Sequence, residues 1–288
     1  RSVINDIVPL QKGDRVFVQG SALGTSDESF YVIEVYRMSG MIVLAMIFIG
    51  AVWAVSGKKG VSSLVGLLSN FAIVFYVVIP RILAGDAPLL VGLGGAMLMM
   101  LISVYVSYGF NAKSISALMG MCGSLVVVGV CAYLAIYGLH FSGFSGEESV
   151  YLNFDTNNTL HMVGILIAGI MIAALGVLDD VTISQASVVM SLASVSDQLR
   201  GWSLFRKAME VGRDHISAII NTLVLAYTGA ALPLLLLLAV NEFPLSFTLN
   251  GEIIAEEIVR TLVSSLGLVM AVPLTTSIAA WMVGRGWY

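Results

Sequence analysis

From Met38 onward, long apolar runs alternate with short polar stretches. Seven runs approach the roughly 20 residues that a helix needs to cross a bilayer: 38–56, 61–80, 88–108, 114–138, 160–190, 216–240 and 257–283. Residues 1–37 follow another pattern. There VINDIVPLQKGDRVFVQG alternates apolar and polar positions about Lys12-Gly13-Asp14, which predicts two strands and a turn. So short a segment cannot bury a core alone, so it reads as the tail of a small β domain. Arg1 opens the chain inside a strand-like stretch, which predicts a preceding portion such as a signal or first membrane helix. The expected fold is an all-α polytopic membrane bundle of about seven transmembrane helices over 38–288, preceded by a short extracytoplasmic β segment at 1–37.

Two connectors are longer than turns. FSGFSGEESVYLNFDTNNTL is rich in Gly, Ser, Asn and acids and is expected to be an exposed outer loop. SDQLRGWSLFRKAMEVGRDH sets Leu204, Ala208, Val211 and His215 at helical spacing with charges between them. That predicts an amphipathic helix at about 199–215, lying on the inner membrane face.

Composition agrees with a membrane protein. Of 288 residues, 58% are hydrophobic and 11% charged, against about 25% charged in soluble domains. Mean hydropathy is +0.94. The apolar runs far exceed the roughly ten alternating residues of a barrel strand, leaving helices as the way to satisfy the backbone in lipid. The net charge of −4 hides a sorting by side. Lys58, Lys59, Lys113, Arg200, Arg206, Lys207, Arg213 and Arg285 occupy alternate loops, and acids occupy the others, with Arg81 the main exception. The positive-inside rule then puts the β segment outside and the C-terminus in the cytoplasm. Cys122 and Cys131 share one apolar run and read as core residues.

One feature of the fifth run carries chemistry. Asp179 and Asp180 interrupt HMVGILIAGIMIAALGVLDDVTISQASVV. Ionisable groups at bilayer depth cost several kcal/mol, so they persist where they line a cavity, pair or move protons. Two adjacent carboxylates should resist ionising together and titrate as a unit. Asp180 shares a helical stripe with Gly176, Ser184, Ser187 and Ser191, while Asp179 lies nearer Thr182, Ile183 and Ala186. The small, hydroxylated Asp180 stripe suits a tight helix contact or a wet seam. The pair is about 27 Å along the helix from His161. A helix from about 160 to 195 would put it near mid-membrane, and a shorter one at a solvated inner end. Asn221 and Thr228, seven residues apart on one face of the sixth run, can hydrogen-bond a carboxyl or a water chain, as can Asn70 of the second and Thr261, Ser264 and Ser265 of the seventh. Interhelical bonding is the other reading of all of them. Arg260, at the outer start of the last run, is expected to snorkel to the interface. Single histidines, scattered methionines and the absence of HExxH or CxxC give no basis for a metal centre, and no nucleophile triad, phosphate loop or nucleic-acid face is visible.

GFNAKSISALMG, ALGVLDDVTISQASVV and GRDHISAIINTLVLAYTGAALPLLLL resemble the YibE/F family of bacterial membrane proteins, over essentially residues 38–283. The resemblance implies a multi-pass protein of the bacterial inner membrane, with a further N-terminal membrane helix before an extracytoplasmic β segment. The Asp-Asp helix, the basic amphipathic connector and the Asn-containing helix after it are also similar to resistance-nodulation-division (RND) transporters and the SecDF export subunits. That likeness implies proton-relay acids at Asp179 and Asp180 with Asn221 or Thr228 as relay partners, and the stripe adds Ser184 and Ser187 to the candidate relay or ion site. It lacks their large extracytoplasmic domains and a relay lysine, Lys113 being the nearest and placed in a loop. RND transporters use two related halves, so one such chain implies a homodimer.

The expectation is therefore a proton-coupled membrane transporter of an unnamed small molecule or ion, without cofactor and not an enzyme. Two alternatives stay open: a channel or carrier binding a hard cation at Asp179 and Asp180, and a non-transporting envelope scaffold.

Overall fold

The computed structural model describes residues 10–21, 29–157, 159–196, 198–240 and 244–287. The chain forms two compact units, residues 1–64 and 65–288. In the first, β1 (Val16–Ser21) pairs antiparallel with β2 (Ser29–Val35), with an irregularity between Phe17 and Val18. The turn expected at Lys12-Gly13-Asp14 is present: Gly13 has φ 110°, and Gln11 N donates to the Asp14 carboxylate at 2.7 Å. The strand expected before that turn falls on 3–9, outside the described residues. What pairs with β1 is β2, from the other side.

Helix α1 (Met38–Ile73) breaks at Gly57, whose φ of 55° and ψ of −138° lie in a region that only glycine enters freely. A π-helical turn (Val74–Val78) and α2 (Ile79–Leu83) continue it. Pro80 explains that turn, since its ring collides with the carbonyl of residue 76 in a regular helix and a wider turn relieves the clash. The runs expected as separate spans at 38–56 and 61–80 are thus two helical segments that meet at Gly57, within an apolar stretch of 46 residues, about twice a single crossing.

The remaining elements are α3 (Pro88–Tyr108), α4 (Ala112–Gly138), α5 (Glu147–Asp155), α6 (Met162–Val195), α7 (Gly201–Ala230), α8 (Leu232–Val240), α9 (Leu245–Asn250) and α10 (Glu252–Gly284). Five helices, counting the 46-residue stretch once, are long and apolar enough to cross a membrane, or six if the α7–α8 pair is one broken span. The sequence predicts seven. The 46-residue stretch holds two of those runs, one on each side of the Gly57 break, and the continuity of α7 accounts for the other difference. The surface helix expected at 199–215 and the span expected at 216–240 are one continuous helix to Ala230, followed by a 59° bend into α8. Pro233 sits in the first turn of α8, where its missing N–H does no harm but blocks continuation from α7.

Helix α6 is the hub, packed against α3, α4, α7 and α10. Close approaches set the directions. A Cβ at Gly92 would strike Ala168, and Ser103 bonds Asp179, so α3 runs parallel to α6. Gly120 abuts Thr275 and Gly267 abuts Val128, so α4 runs antiparallel to α10. Gln185 meets Thr276 while Leu178 lies beside Gly267, so α6 and α10 are parallel. The start of α4 and the ends of α6 and α10 therefore share one end of the bundle. Lys113 and Arg285 stand there, with Arg206 and Lys207 on the first turns of α7. A second apolar cluster of Val189, Ala193, Leu204, Ala208, Ala279, Ala280 and Val283 knits that end. Of the apolar face expected for 199–215, Leu204 and Ala208 are buried against the bundle with Gly212, whereas Val211 is exposed.

Candidate functional site

Helix α6 runs unbroken over 34 residues and carries Asp179 and Asp180 near its middle. A single helix spanning both acids matches the longer of the two lengths weighed from sequence. The middle of α6 is not the middle of its neighbours, however. Ser103, which stands level with Asp179, is about 8 Å from the Tyr108 end of α3 and about 22 Å from its Pro88 end, at 1.5 Å per residue. The pair thus sits towards the end of the bundle that bears Lys113 and Arg285.

The two acids have different surroundings. Asp179 turns inward. Ser103 Oγ, 7% exposed, donates to Asp179 Oδ2 at 2.6 Å. Asp179 Oδ1 is buried and has no partner among the described residues. Thr182, Ile183 and Ala186, which share its side of α6, are all buried. Asp180 points outward and is exposed, as are Gly176 and Ser191, with Ser184 and Ser187 half-buried. The stripe that sequence suits to a helix contact or a wet seam lies on the outer side of this unit, and the Asp179 side is packed within it. Ser187 Oγ donates to its own helix, to Ile183 O at 2.8 Å.

Tyr108 lies within electrostatic reach of both carboxylates. Lys113 Nζ stands 4.7 Å from the centroid of the Tyr108 ring, a cation–π geometry. Lys113 is in the first turn of α4 rather than in a loop. Tyr108 was missed from sequence because it closes an apolar run and is separated from the aspartates by some 70 positions.

Asn221 and Thr228 are not brought to the acids. Both are exposed on α7, and among the described residues neither has a hydrogen-bond partner. Their shared face was read correctly, but the helix turns it away from α6. The amide that does join these helices is Gln185, 1% exposed, two turns below Asp179. Its Nε2 donates to Ala208 O at 3.1 Å and to Thr276 Oγ1 at 2.8 Å, tying α6 to α7 and α10. Gly212 is fitted to it, since a Cβ there would lie 3.0 Å from Gln185 Oε1 and 2.6 Å from Val272 Cγ1. A lone Gln within an apolar helix was the available signal.

At the opposite end, α10 begins with Glu252, Glu256, Glu257 and Arg260. Arg260 pairs with Glu256 and, at 3.2 Å, with Glu257. The spacings of four and three put all three on one helix face. Ser145 donates to Glu256, and Ser142 N, Ser142 Oγ and Gly143 N converge on Glu252 at 2.7–3.0 Å. The loop expected to be simply exposed is strapped to α10 and then forms α5. Among the described residues no three His, Cys, Asp or Glu side chains cluster as metal ligands would.

The sequence profile described as YibE/F-like protein matches residues 44–285. No curated protein and no solved structure matches the chain. The apolar helices, the hub bearing Asp179 and the profile match over most of its length agree: this membrane-spanning chain belongs to the YibE/F-like protein family.

Proposed function

We propose that the protein is a proton-coupled transporter of the bacterial inner membrane, with Asp179 as the group that takes up and releases the proton. One observation carries this reading. In the central helix of an apolar bundle, one oxygen of Asp179 is held by Ser103 and the other is buried without a partner among the described residues. A structural carboxylate would have both oxygens satisfied, because a half-paired buried charge is costly. A carboxyl that cycles between charged and neutral needs one oxygen free for the proton. The hydroxyl of Ser103 keeps the group in place in both states.

The basic end of the bundle, with Lys113, Arg206, Lys207 and Arg285, fits the cytoplasmic side by the positive-inside rule. Protons would reach Asp179 from that side by way of Tyr108, and Asp180 on the outer face would tune the charge. The clasp of Glu252 and Glu256 on residues 142–145 ties that loop to α10 at the far end.

Reconstitution in liposomes enclosing a pH dye tests the proposal. Under an imposed gradient the wild-type protein should move protons, and the Asp179→Asn/Asp180→Asn double variant should not. Equal rates in the two proteins would refute it.

A further inference from the structure

Two acceptor oxygens near the junction of α1, α3 and α6 are buried without a partner among the described residues: Asp179 Oδ1 and Asn70 Oδ1. Ser103 links their positions. A Cβ at Gly66 would lie 3.1 Å from Ser107 Oγ and 3.5 Å from Ser103 Oγ, so this face of α1 rests on that side of α3. Asn70 is one turn further along the same face, since residues i and i+4 stand one above the other. Gly66 meets Ser107 and Ser103 while Val78 meets Gly95, so the two segments run antiparallel. Asn70 is therefore level with the turn of α3 that holds Ser103, and Ser103 is where Asp179 reaches α3.

While Asp179 is ionised, both orphan atoms are acceptors and neither can satisfy the other. One proton changes this. Placed on Oδ1, it makes Asp179 a donor, and the carbonyl oxygen of Asn70 is the acceptor waiting at that level. Ser103 continues to donate to Oδ2, which is then the carbonyl oxygen of the neutral acid.

We propose that Asn70 accepts the hydrogen bond of the proton carried by Asp179, directly or through one water, and so acts as the positioning residue for the proton-loaded state. When the O–H bond breaks, the proton passes to water, its electron pair stays on Oδ1 and Asn70 loses its donor. The hold of α1 on the α3–α6 pair weakens at the same moment, which converts proton release into a change in helix contact. The inference deepens the proton-coupling reading and rests on it for its functional meaning.

Infrared difference spectra of the whole protein in lipid, recorded across pH, provide the test. The protonated-carboxyl band that disappears in Asp179→Asn reports this group, and the absence of any such band would overturn the assignment. Asn70→Leu should shift the band and lower the protonated fraction at fixed pH by roughly tenfold, the worth of one buried hydrogen bond. Asn70→Ser, which restores an acceptor oxygen, should recover part of both, and Gly94→Ala should change neither. A band unmoved in frequency and pH response by Asn70→Leu would overturn the proposal. If Asn70→Leu does not fold, Asn70→Ser alone decides, because an acceptor of shorter reach must still move the band. A band that Asn70→Leu moves, in a protein that carries no protons, would instead sink the transport reading and leave this assignment standing.

Discussion

Replacing Gly120 by alanine places a methyl group at the contact on which the geometry of the bundle depends. The new Cβ would strike the Thr275 hydroxyl and lie 2.9 Å from Thr275 Cα. Normal carbon contacts are about 3.5–4.0 Å, so α4 and α10 must part by roughly 0.6–1 Å. A gap of that size forfeits a quarter to a half of each dispersion contact along the seam, and overpacking of this kind costs about 1–3 kcal/mol. Alanine also gains about 1 kcal/mol over glycine within a helix, which would mask part of the loss. Gly94→Ala removes that ambiguity. Gly94 is inside α3 and a Cβ there meets nothing within 4 Å, so it takes the helix gain alone. Gly129→Ala should fall between the two, because its nearest neighbour is the flexible end of Met171 at 3.4 Å. Equilibrium unfolding in detergent should rank Gly94→Ala above Gly129→Ala above Gly120→Ala, with about 1–3 kcal/mol between the extremes. If Gly120→Ala is as stable as Gly94→Ala, the α4–α10 packing described here is wrong.

Further outcomes follow from the same contacts. Gln185→Ala removes two hydrogen bonds and leaves a cavity beside Gly212, so it should cost about 2–4 kcal/mol in the same unfolding assay. Gln185→Met fills the space and also removes the orphaned Oε1, and should cost less than about 1.5 kcal/mol. Arg260→Ala strands Glu256, 7% exposed, with Ser145 alone and should destabilise by about 2–4 kcal/mol. Adding Glu256→Gln should recover part of that loss. Asn221→Leu and Thr228→Val, on the exposed side of α7, should each stay within about 0.5 kcal/mol of wild type.

The membrane class, most helix positions and the aspartate pair were legible because they depend on composition and run length, which lipid imposes directly. Asp179 and Asp180 stand out for the same reason that they are costly. Which of them faces inward was not legible. In a soluble helix the apolar stripe marks the core, but here lipid and core are both apolar, so the periodicity of α6 and α7 carries little orientation. The exposure of Asp180, Asn221 and Thr228 leaves no mark in the sequence for that reason. Gly57 shows a second limit: the break expected beside Lys58 and Lys59 is present, but as one positive-φ glycine rather than a loop. The clasp of residues 142–145 on Glu252 and Glu256 joins positions more than 100 apart and is set by tertiary packing alone.

In the proposed transport cycle Asp179, rather than Asp180, is the proton-bearing group. Proton flux in liposomes, measured for the two single variants side by side, tests that claim most directly. Asp179→Asn should abolish flux, while Asp180→Asn, altering only an exposed carboxylate, should retain a measurable part of it. Flux at the wild-type rate in Asp179→Asn, or its loss in Asp180→Asn alone, would contradict the account.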